Sequence, residues 1–395
     1  MKDVVIVSAV RTAIGSFSGM FADVSAVELG VTAVKSAVKK AGIEPNQVEQ
    51  VILGNVLAAG HGQNIARQIQ IKAGIPQEST AYTISKVCGS GLKAVILGAQ
   101  AIQTDESDIV IVGGTESMSN AAHIIEQHRN GKPFGNNQII DTILSDGLTD
   151  AFTDVHMGIT AENLAEKYDL TREVQDNYAL QSQQRTQTAI TTGKFDNEIT
   201  PHIITTRQGD IICDKDEFPR ANTNIDSLKR LRPAFKKEGT VTAGNASGIN
   251  DGASALVLMS SEKAKALGLT PLAKIVSHAS AGVDPNLMGF GPVPATKKAL
   301  SKANLTIKDI DLTEANEAFA AQALSVIEGL ELDLNKTNVN GGAISLGHPI
   351  GASGARILVT LLHELDKRNA RYGLATLCIG GGQGTALIVE NIKKQ

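Results

Sequence analysis

Two segments far apart in the chain follow one plan. Ser90-Gly91-Leu92-Lys93 opens an apolar run with helical spacing, and Ser353-Gly354-Ala355-Arg356 opens another. A strand ending in glycines follows each, VIVGG at 110–114 and ATLCIGG at 375–381. Four residues are a weak repeat, but the matched order of elements around them points to an internal duplication. Two stacked α/β halves bring equivalent helix N-termini near a common interface, a usual location for a site.

The flanking sequence supports two such halves. Over the first 117 residues strand signals such as VVIVSAV (4–10) alternate with helical ones such as SAVELGVTAVKSAVKKAG (25–42), as in a parallel α/β sheet. Residues 118–249 are more polar and break the rhythm, which resumes at 250 and closes in two strands. The expected division is a first α/β half at 1–117 plus 250–268, an inserted loop domain at 118–249, and a second half at 269–395. A chain of 395 residues exceeds one ordinary core, in keeping with this division.

Composition narrows the function. A net charge of −4, 3% aromatics and no Trp argue against nucleic-acid binding. No run of about 20 uninterrupted apolar residues is present, so no membrane partner is expected. The start reads as a strand rather than a signal core. Cysteines at 88, 213 and 378 cannot all pair and lack C-x-x-C spacing, so no metal site is expected and a reducing compartment, the cytoplasm, is.

Five segments carry candidate chemistry. Cys88 precedes Gly89 and Gly91 at the start of a buried helix, where free N–H groups and the helix dipole favour a thiolate; a buried structural cysteine is the alternative. His348 lies among glycines at 341, 342, 347, 351 and 354, suited to a general base but equally to packing. Cys378 ends a strand before Gly380, Gly381 and Gly382, whose backbone can aim N–H groups at an oxyanion. Asn316 and Glu317 lie between a strand and an apolar helix, where simple helix capping is the competing explanation. The small-residue loop around Ser247 and Gly248 otherwise reads as a connector.

VCGSGLKAV, NEAFAAQ, GGAISLGHPIGASGAR and CIGGGQGTA, in that order, resemble the thiolases, and the biosynthetic type most closely. The likeness covers essentially the whole chain. It implies a thiolase-like fold: duplicated βαβαβαββ halves in a five-layered α/β/α/β/α core, with an inserted loop domain that holds coenzyme A. It implies reversible condensation of two acetyl-CoA to acetoacetyl-CoA plus CoA, by a ping-pong route through acetyl-Cys88. His348 would take the Cys88 proton, Cys378 would act as acid and base at the methyl carbon, and Asn316 would orient a water in one oxyanion hole. The N–H groups of Cys88 and Gly380 would form the other. Coenzyme A would be substrate and product, with no separate cofactor.

More loosely, the resemblance places His156 and Met157 by the pantetheine and acyl region. It places Arg220, Ser227, Leu231 and Phe235 towards the adenosine end, Ala243 and Ser247 on pantetheine, and Met288, Ala318 and Phe319 around the acyl group. It also implies a homo-oligomer, a tetramer built as a dimer of dimers. Two departures stand out: Ser85 replaces an Asn frequent in relatives, and MSNAAHIIEQHRNG (118–131) lacks a proline. Competing readings are a degradative 3-ketoacyl-CoA thiolase of broader chain length, a β-ketoacyl synthase-like enzyme, a non-catalytic thiolase-like protein, and a redox-sensing thiol protein.

Overall fold

Nine buried residues, VVIVSAVRT, form strand β1 (Val4–Thr12) at the centre of the sheet. A nearly unbroken apolar run suits a strand covered on both faces. The computed structural model describes residues 2–126 and 128–394; Gln127, inside the expected insertion, lies outside the described residues. Helix α1 (Ala26–Ala41) starts at a capping box between Ser25 and Glu28 and stops at Gly42, whose φ of +69° suits glycine. The first half continues with β2 (Gln50–Gly54), α2 (Ile65–Lys72), β3 (Thr80–Ile84), α3 (Ser90–Gln103) and β4 (Ile109–Ser117). Helices α4 (Met157–Lys167) and α5 (Arg172–Thr191) belong to the intervening segment, and β5 (Asn250–Ser260) closes the half.

The second half repeats the order with β6 (Ala273–Gly282), α6 (Pro292–Ala303), β7 (Leu312–Ala315), α7 (Ala320–Leu330), α8 (Ile350–Arg368), β8 (Tyr372–Ile379) and β9 (Gln383–Glu390). The counterpart of β3 is reduced to a bridge between Thr313 and Thr337. The strands run β7-β8-β9-β6-β1-β5-β4-β2-β3, joined at the centre by pairing of β1 with β6.

The sheet is mixed rather than parallel. In each half the last strand pairs antiparallel with both neighbours, β5 with β1 and β4, and β9 with β6 and β8. The reason is the connection: β8 reaches β9 through Gly380–Gly382 alone, a turn too short for a parallel crossover. Between β4 and β5 the same junction is occupied by residues 118–249.

Alternation along the strands builds the layers. Ile109 and Ile111 of β4 face the core beneath α1, whereas Val110 and Val112 face the core shared with α3 and α8. That middle core also takes Ala375 and Leu377 of β8, and a further core lies between β8, β9 and α6. The result is five layers, with α3 and α8 in the middle. Glycines permit the close approach of these two helices: a Cβ on Gly91 would lie 2.8 Å from the Ala355 nitrogen, and one on Gly354 would lie 2.4 Å from that of Leu92. The Ser-Gly repeat is therefore the contact of two helix N-termini.

Candidate active site

The strand before Cys88 stops at Ile84, four residues ahead of the cysteine. Val87 adopts φ +47°, a strained conformation for a β-branched residue. Ser90 holds the turn: its hydroxyl donates to the Val87 carbonyl at 2.7 Å and accepts from the Lys86 N–H at 2.8 Å. Gly89 lies against the other half, since a Cβ there would sit 2.4 Å from Ile379 Cδ1. Cys88 is half-buried at the top of this elbow.

Its thiol differs from expectation. Burial pushes the Cys88 pKa up to about 11, with the nearby Glu116 charge adding to the rise. Hydrogen bonds from the N–H groups of Gly380 and Cys88 itself oppose the shift without cancelling it. Desolvation outweighs the helix N-terminus, so a thiolate here needs a base.

His348 is the candidate for that base. The chain enters it through Gly347 at φ +103°, where a Cβ would strike the Asn250 side chain at 2.5 Å. Asn250 Oδ1 accepts the His348 N–H at 2.9 Å. His348 Nδ1 lies 2.6 Å from Ser353 Oγ, and that hydroxyl donates to the Pro349 carbonyl at 2.8 Å. The single hydroxyl hydrogen is thereby committed, so Nδ1 carries the ring proton and Nε2 is the bare nitrogen. Nε2 is buried and has no hydrogen-bond partner among the described residues. Burial, helped by Arg356, holds the pKa down at about 4, so the ring is neutral near pH 7.

Cys378, one residue before the end of β8, is fully buried among Met157, Ala161, Val241, Ala246, Met288, Ala318 and Phe319. Burial, reinforced by proximity to Cys88, raises its thiol pKa well above the ordinary value. Asn316 follows β7 and donates its N–H to the Thr376 carbonyl at 3.0 Å, which sets it beside the end of β8. Helix α7 begins beyond it with Phe319 as its cap, so Asn316 is not a helix cap. Both amide atoms of its side chain are buried and unpartnered among the described residues, a costly state unless a ligand or water completes them.

The Asn316 backbone is clamped on both sides. Asn338 Oδ1 accepts the Ala315 N–H at 2.9 Å and its Nδ2 donates to the Ala315 carbonyl at 2.7 Å. Glu317 accepts from Tyr178, Ser182, Asn338 and the Ile344 N–H.

A cleft of about 340 Å³ is lined by Arg220, Ser227, Leu231 and Ala243, and also by Ile344, whose N–H donates to Glu317; Cys88, His348, Cys378 and Asn316 are not among its lining residues. His156 caps α4, its Nδ1 accepting the Gly158 N–H at 3.0 Å, and burial lowers its pKa. Its ring stacks on Phe235 at 4.6 Å, and Phe235 meets Phe319 edge-on at 6.0 Å. This aromatic row runs into the apolar cluster around Cys378. Met157 and Val87 pack over Gly380, and the Ser247 N–H donates to the Ala318 carbonyl at 3.0 Å. Cys213 lies apart, in the core beneath α1.

The family model for the thiolase N-terminal domain matches residues 4–262, and that for the thiolase C-terminal domain matches residues 269–391. The chain belongs to the thiolase family. It is 58% identical over 391 residues to an acetyl-CoA acetyltransferase of Cupriavidus necator, covering 99% of this chain and all of that protein. It is 59% identical over 389 residues to one of Chromobacterium violaceum, covering 98% and 99% of the two chains. The crystal structure of the Bacillus anthracis acetyl-CoA acetyltransferase superposes with a TM-score of 0.98 at 48% identity, covering 99% of each chain. That of human mitochondrial 3-ketoacyl-CoA thiolase gives 0.96 at 45% identity, again over 99% of each chain.

Several groups in this thiolase site were not singled out from sequence. Phe218 and Gln183 line the cleft with Arg220. Gln183 Oε1 accepts the Arg220 N–H at 3.0 Å, and the Arg220 guanidinium lies 5.6 Å from the Phe218 ring centre. Phe218 could have been suspected from its place two residues before Arg220. Gln183 carries no local signal, because it lies mid-helix in α5. Ser353, which sets the His348 tautomer, was visible only as one member of the repeat.

Proposed function

We propose that the protein is an acetyl-CoA C-acetyltransferase that reversibly joins two acetyl-CoA into acetoacetyl-CoA and releases CoA. The observation that carries this reading is the bare, buried Nε2 of His348 in a centre that holds a strained elbow thiol and a second, fully buried thiol. The full-length likeness to acetyl-CoA acetyltransferases supports the substrate.

His348 Nε2 takes the Cys88 proton, and the sulfur attacks the thioester carbonyl. The C–S bond to CoA breaks, and Cys378, held neutral by burial, protonates the departing CoA sulfur. Cys88 now carries acetyl and Cys378 is a thiolate. The Cys378 thiolate removes a methyl proton from a second acetyl-CoA, and the resulting carbanion attacks the acetyl carbonyl. Cys88 leaves as thiolate and recovers its proton from His348, which returns every group to its starting state. The N–H groups of Cys88 and Gly380 hold one oxyanion. Asn316, through an oriented water, holds the other with protonated His348.

Coenzyme A is substrate and product, and no other cofactor enters. Arg220, Ser227, Leu231 and Ala243 take its nucleotide and pantetheine in the cleft, with His156, Phe235 and Ser247 further in. Met157, Met288, Ala318 and Phe319 crowd the acyl group and favour a short chain. The exposed edge strand β3 and the exposed Phe134 and Ile139 support a homo-oligomer, which we assign as a cytoplasmic tetramer.

Intact-mass analysis with peptide mapping after acetyl-CoA treatment tests the reading: one acetyl group on Cys88 is expected, and its absence or its location on Cys378 or Cys213 overturns it. The likeness to a 3-ketoacyl-CoA thiolase favours a second reading, a broader degradative enzyme. Thiolysis rates falling steeply beyond four carbons in the 3-ketoacyl chain support the first; equal rates on longer chains support the second.

A further inference from the structure

The sheet registers place a second, altered copy of the reaction centre in the first half. Gly54 pairs with Gly114 there, as Ala315 pairs with Thr376 in the second half. One residue further along, Asn55 corresponds to Asn316. Two residues beyond Gly114, Glu116 corresponds to Cys378. The next strand confirms the match, since Glu116 faces Gly252 and Cys378 faces Gly384. Counting back two residues from Ser90 and from Ser353 pairs Cys88 with Gly351. The positions of Asn316, Cys378 and Cys88 thus recur as Asn55, Glu116 and Gly351.

These three residues also meet in space. Asn55 Nδ2 donates to Glu116 Oε1 at 2.9 Å, and the Gly351 N–H donates to Oε2 at 2.8 Å. The N–H groups of Val56 and Leu57 complete the carboxylate, each at 3.1 Å. Glu116 is fully buried and no cation is among its partners. Gly351 has no room for a side chain, since a Cβ would lie 2.5 Å from Oε2. The carboxylate fills the place that a sulfur occupies in the other copy.

We propose that Glu116 is the positioning residue that holds His348 in register with Cys88 across the boundary between the two halves. Its donors come from both sides: the loop after β2 in the first half, and Gly351, three residues past His348, in the second. The clamped segments reach the nucleophile directly, because Leu57 and Ile350 share an apolar cluster with Cys88. Burial raises the Glu116 pKa to about 7 while the N–H donors of Leu57, Val56 and Gly351 oppose the rise, and four hydrogen bonds of 2.8–3.1 Å around one buried carboxyl group leave the His348 loop little freedom. A carboxylate serves better than a neutral acceptor, since all four partners are donors.

This inference rests on the acetyltransferase reading, and acetylation of Cys88 in the unaltered protein is the first measurement. Its absence would defeat that reading before any variant is made. Glu116→Gln keeps the volume but turns an NH2 group against two of the four donors. Rates of Cys88 acetylation and kcat should fall about 100-fold, the loss typical of a displacement of about 1 Å, with KM for acetyl-CoA changed by less than about twofold. Val112→Ala, deeper in the same strand, lowers Tm through packing and should keep kcat within about twofold. A wild-type acetylation rate in Glu116→Gln overturns the proposal, as does an equal loss of kcat in Val112→Ala at matched Tm. If Glu116→Gln does not fold, Asn55→Ala removes one donor only and should show the same kcat-against-KM split at about tenfold. Unchanged kcat in that variant overturns the proposal as well.

Discussion

In the first half the residues just past β2 and at the end of β4 are Asn55 and Glu116, whose side chains close on each other at 2.9 Å. In the second half the matching residues are Asn316 and Cys378, and Asn316 has no partner on either amide atom. The two copies share register, strand order and facing glycines. They differ in whether the amide donor is taken up: Asn55 Nδ2 gives to Glu116 and the Thr115 carbonyl, whereas Asn316 Nδ2 meets no acceptor among the described residues. Donors committed to one carboxylate fix geometry and have little left to offer a substrate, although Asn55 Oδ1 stays without a partner among the described residues. An unsatisfied, buried amide beside an apolar thiol pocket retains the hydrogen-bonding capacity that a reaction can use. Of the two equivalent corners, we read one as a joint and the other as the reaction centre.

The contrast is broken most severely at Cys378. Cys378→Ala removes the group with no counterpart in function at Glu116. Condensation should fall by roughly 10²- to 10⁴-fold, the range for general acid–base catalysis. Acetylation of Cys88 should persist, because a CoA thiolate leaves readily without help. Acetoacetyl-CoA formation and Cys88 mass shift, measured on the same sample, separate the two steps. Normal condensation would mean that another base acts.

The paired asparagines sharpen the comparison. Asn316→Ala removes an oxyanion contact and should cost about 100- to 1,000-fold in kcat, close to 3–4 kcal/mol of barrier. Asn55→Ala removes only a joint contact and should cost about tenfold. Equal losses at the two positions would erase the distinction between reaction centre and clamp.

Much of this architecture was legible from periodicity. The alternation along 1–117 and 250–395, the capped α1 and the paired Ser-Gly helix starts all correspond to observed elements, because local pattern and tertiary burial agree there. Strand direction was not legible. The antiparallel return of β5 and β9 depends on connection geometry, which the apolar run of a buried strand does not record. Cys88, His348, Cys378 and Asn316 could be named because glycines and motif order flag them. Glu116 could not, since a lone acid at the end of a strand reads as a solvated terminus until the fold brings Gly351 onto it. The protonation state of Cys88 was also hidden: helix position argued for a thiolate, and only burial in the folded chain reverses that.

His348 introduces a titration that the first half lacks, since the same count places Ser85 at its counterpart. Burial lowers the His348 pKa from 6.5 to about 4, so the unfolded chain binds the proton more readily than the folded one. The associated stability is present above pH 6.5 and is lost as pH falls towards 4. A shift of that size corresponds to roughly 3 kcal/mol. His348→Ser, which gives the second half the residue of the first, should flatten the decline of stability between pH 6.5 and 4 by up to that amount. Denaturant melts of both proteins across this range check it; parallel curves would mean that the imidazole is not desolvated.

The smallest effect is expected where the duplication has no bearing, in the cleft of the inserted segment. Arg220 is exposed, its backbone N–H is held by Gln183, and its guanidinium lies over Phe218. Solvent and salt screen a charge in that setting, so its loss should weaken binding without disturbing the reacting atoms. Arg220→Ala should raise KM for acetyl-CoA about tenfold and leave kcat within about twofold, the signature of a contact equal in ground and transition states. The defect should shrink as ionic strength rises, because the wild-type contact weakens while the variant has none to lose. Loss of kcat at constant KM would instead tie the cleft to the chemistry, and would extend the coupling between halves into the segment inserted between β4 and β5.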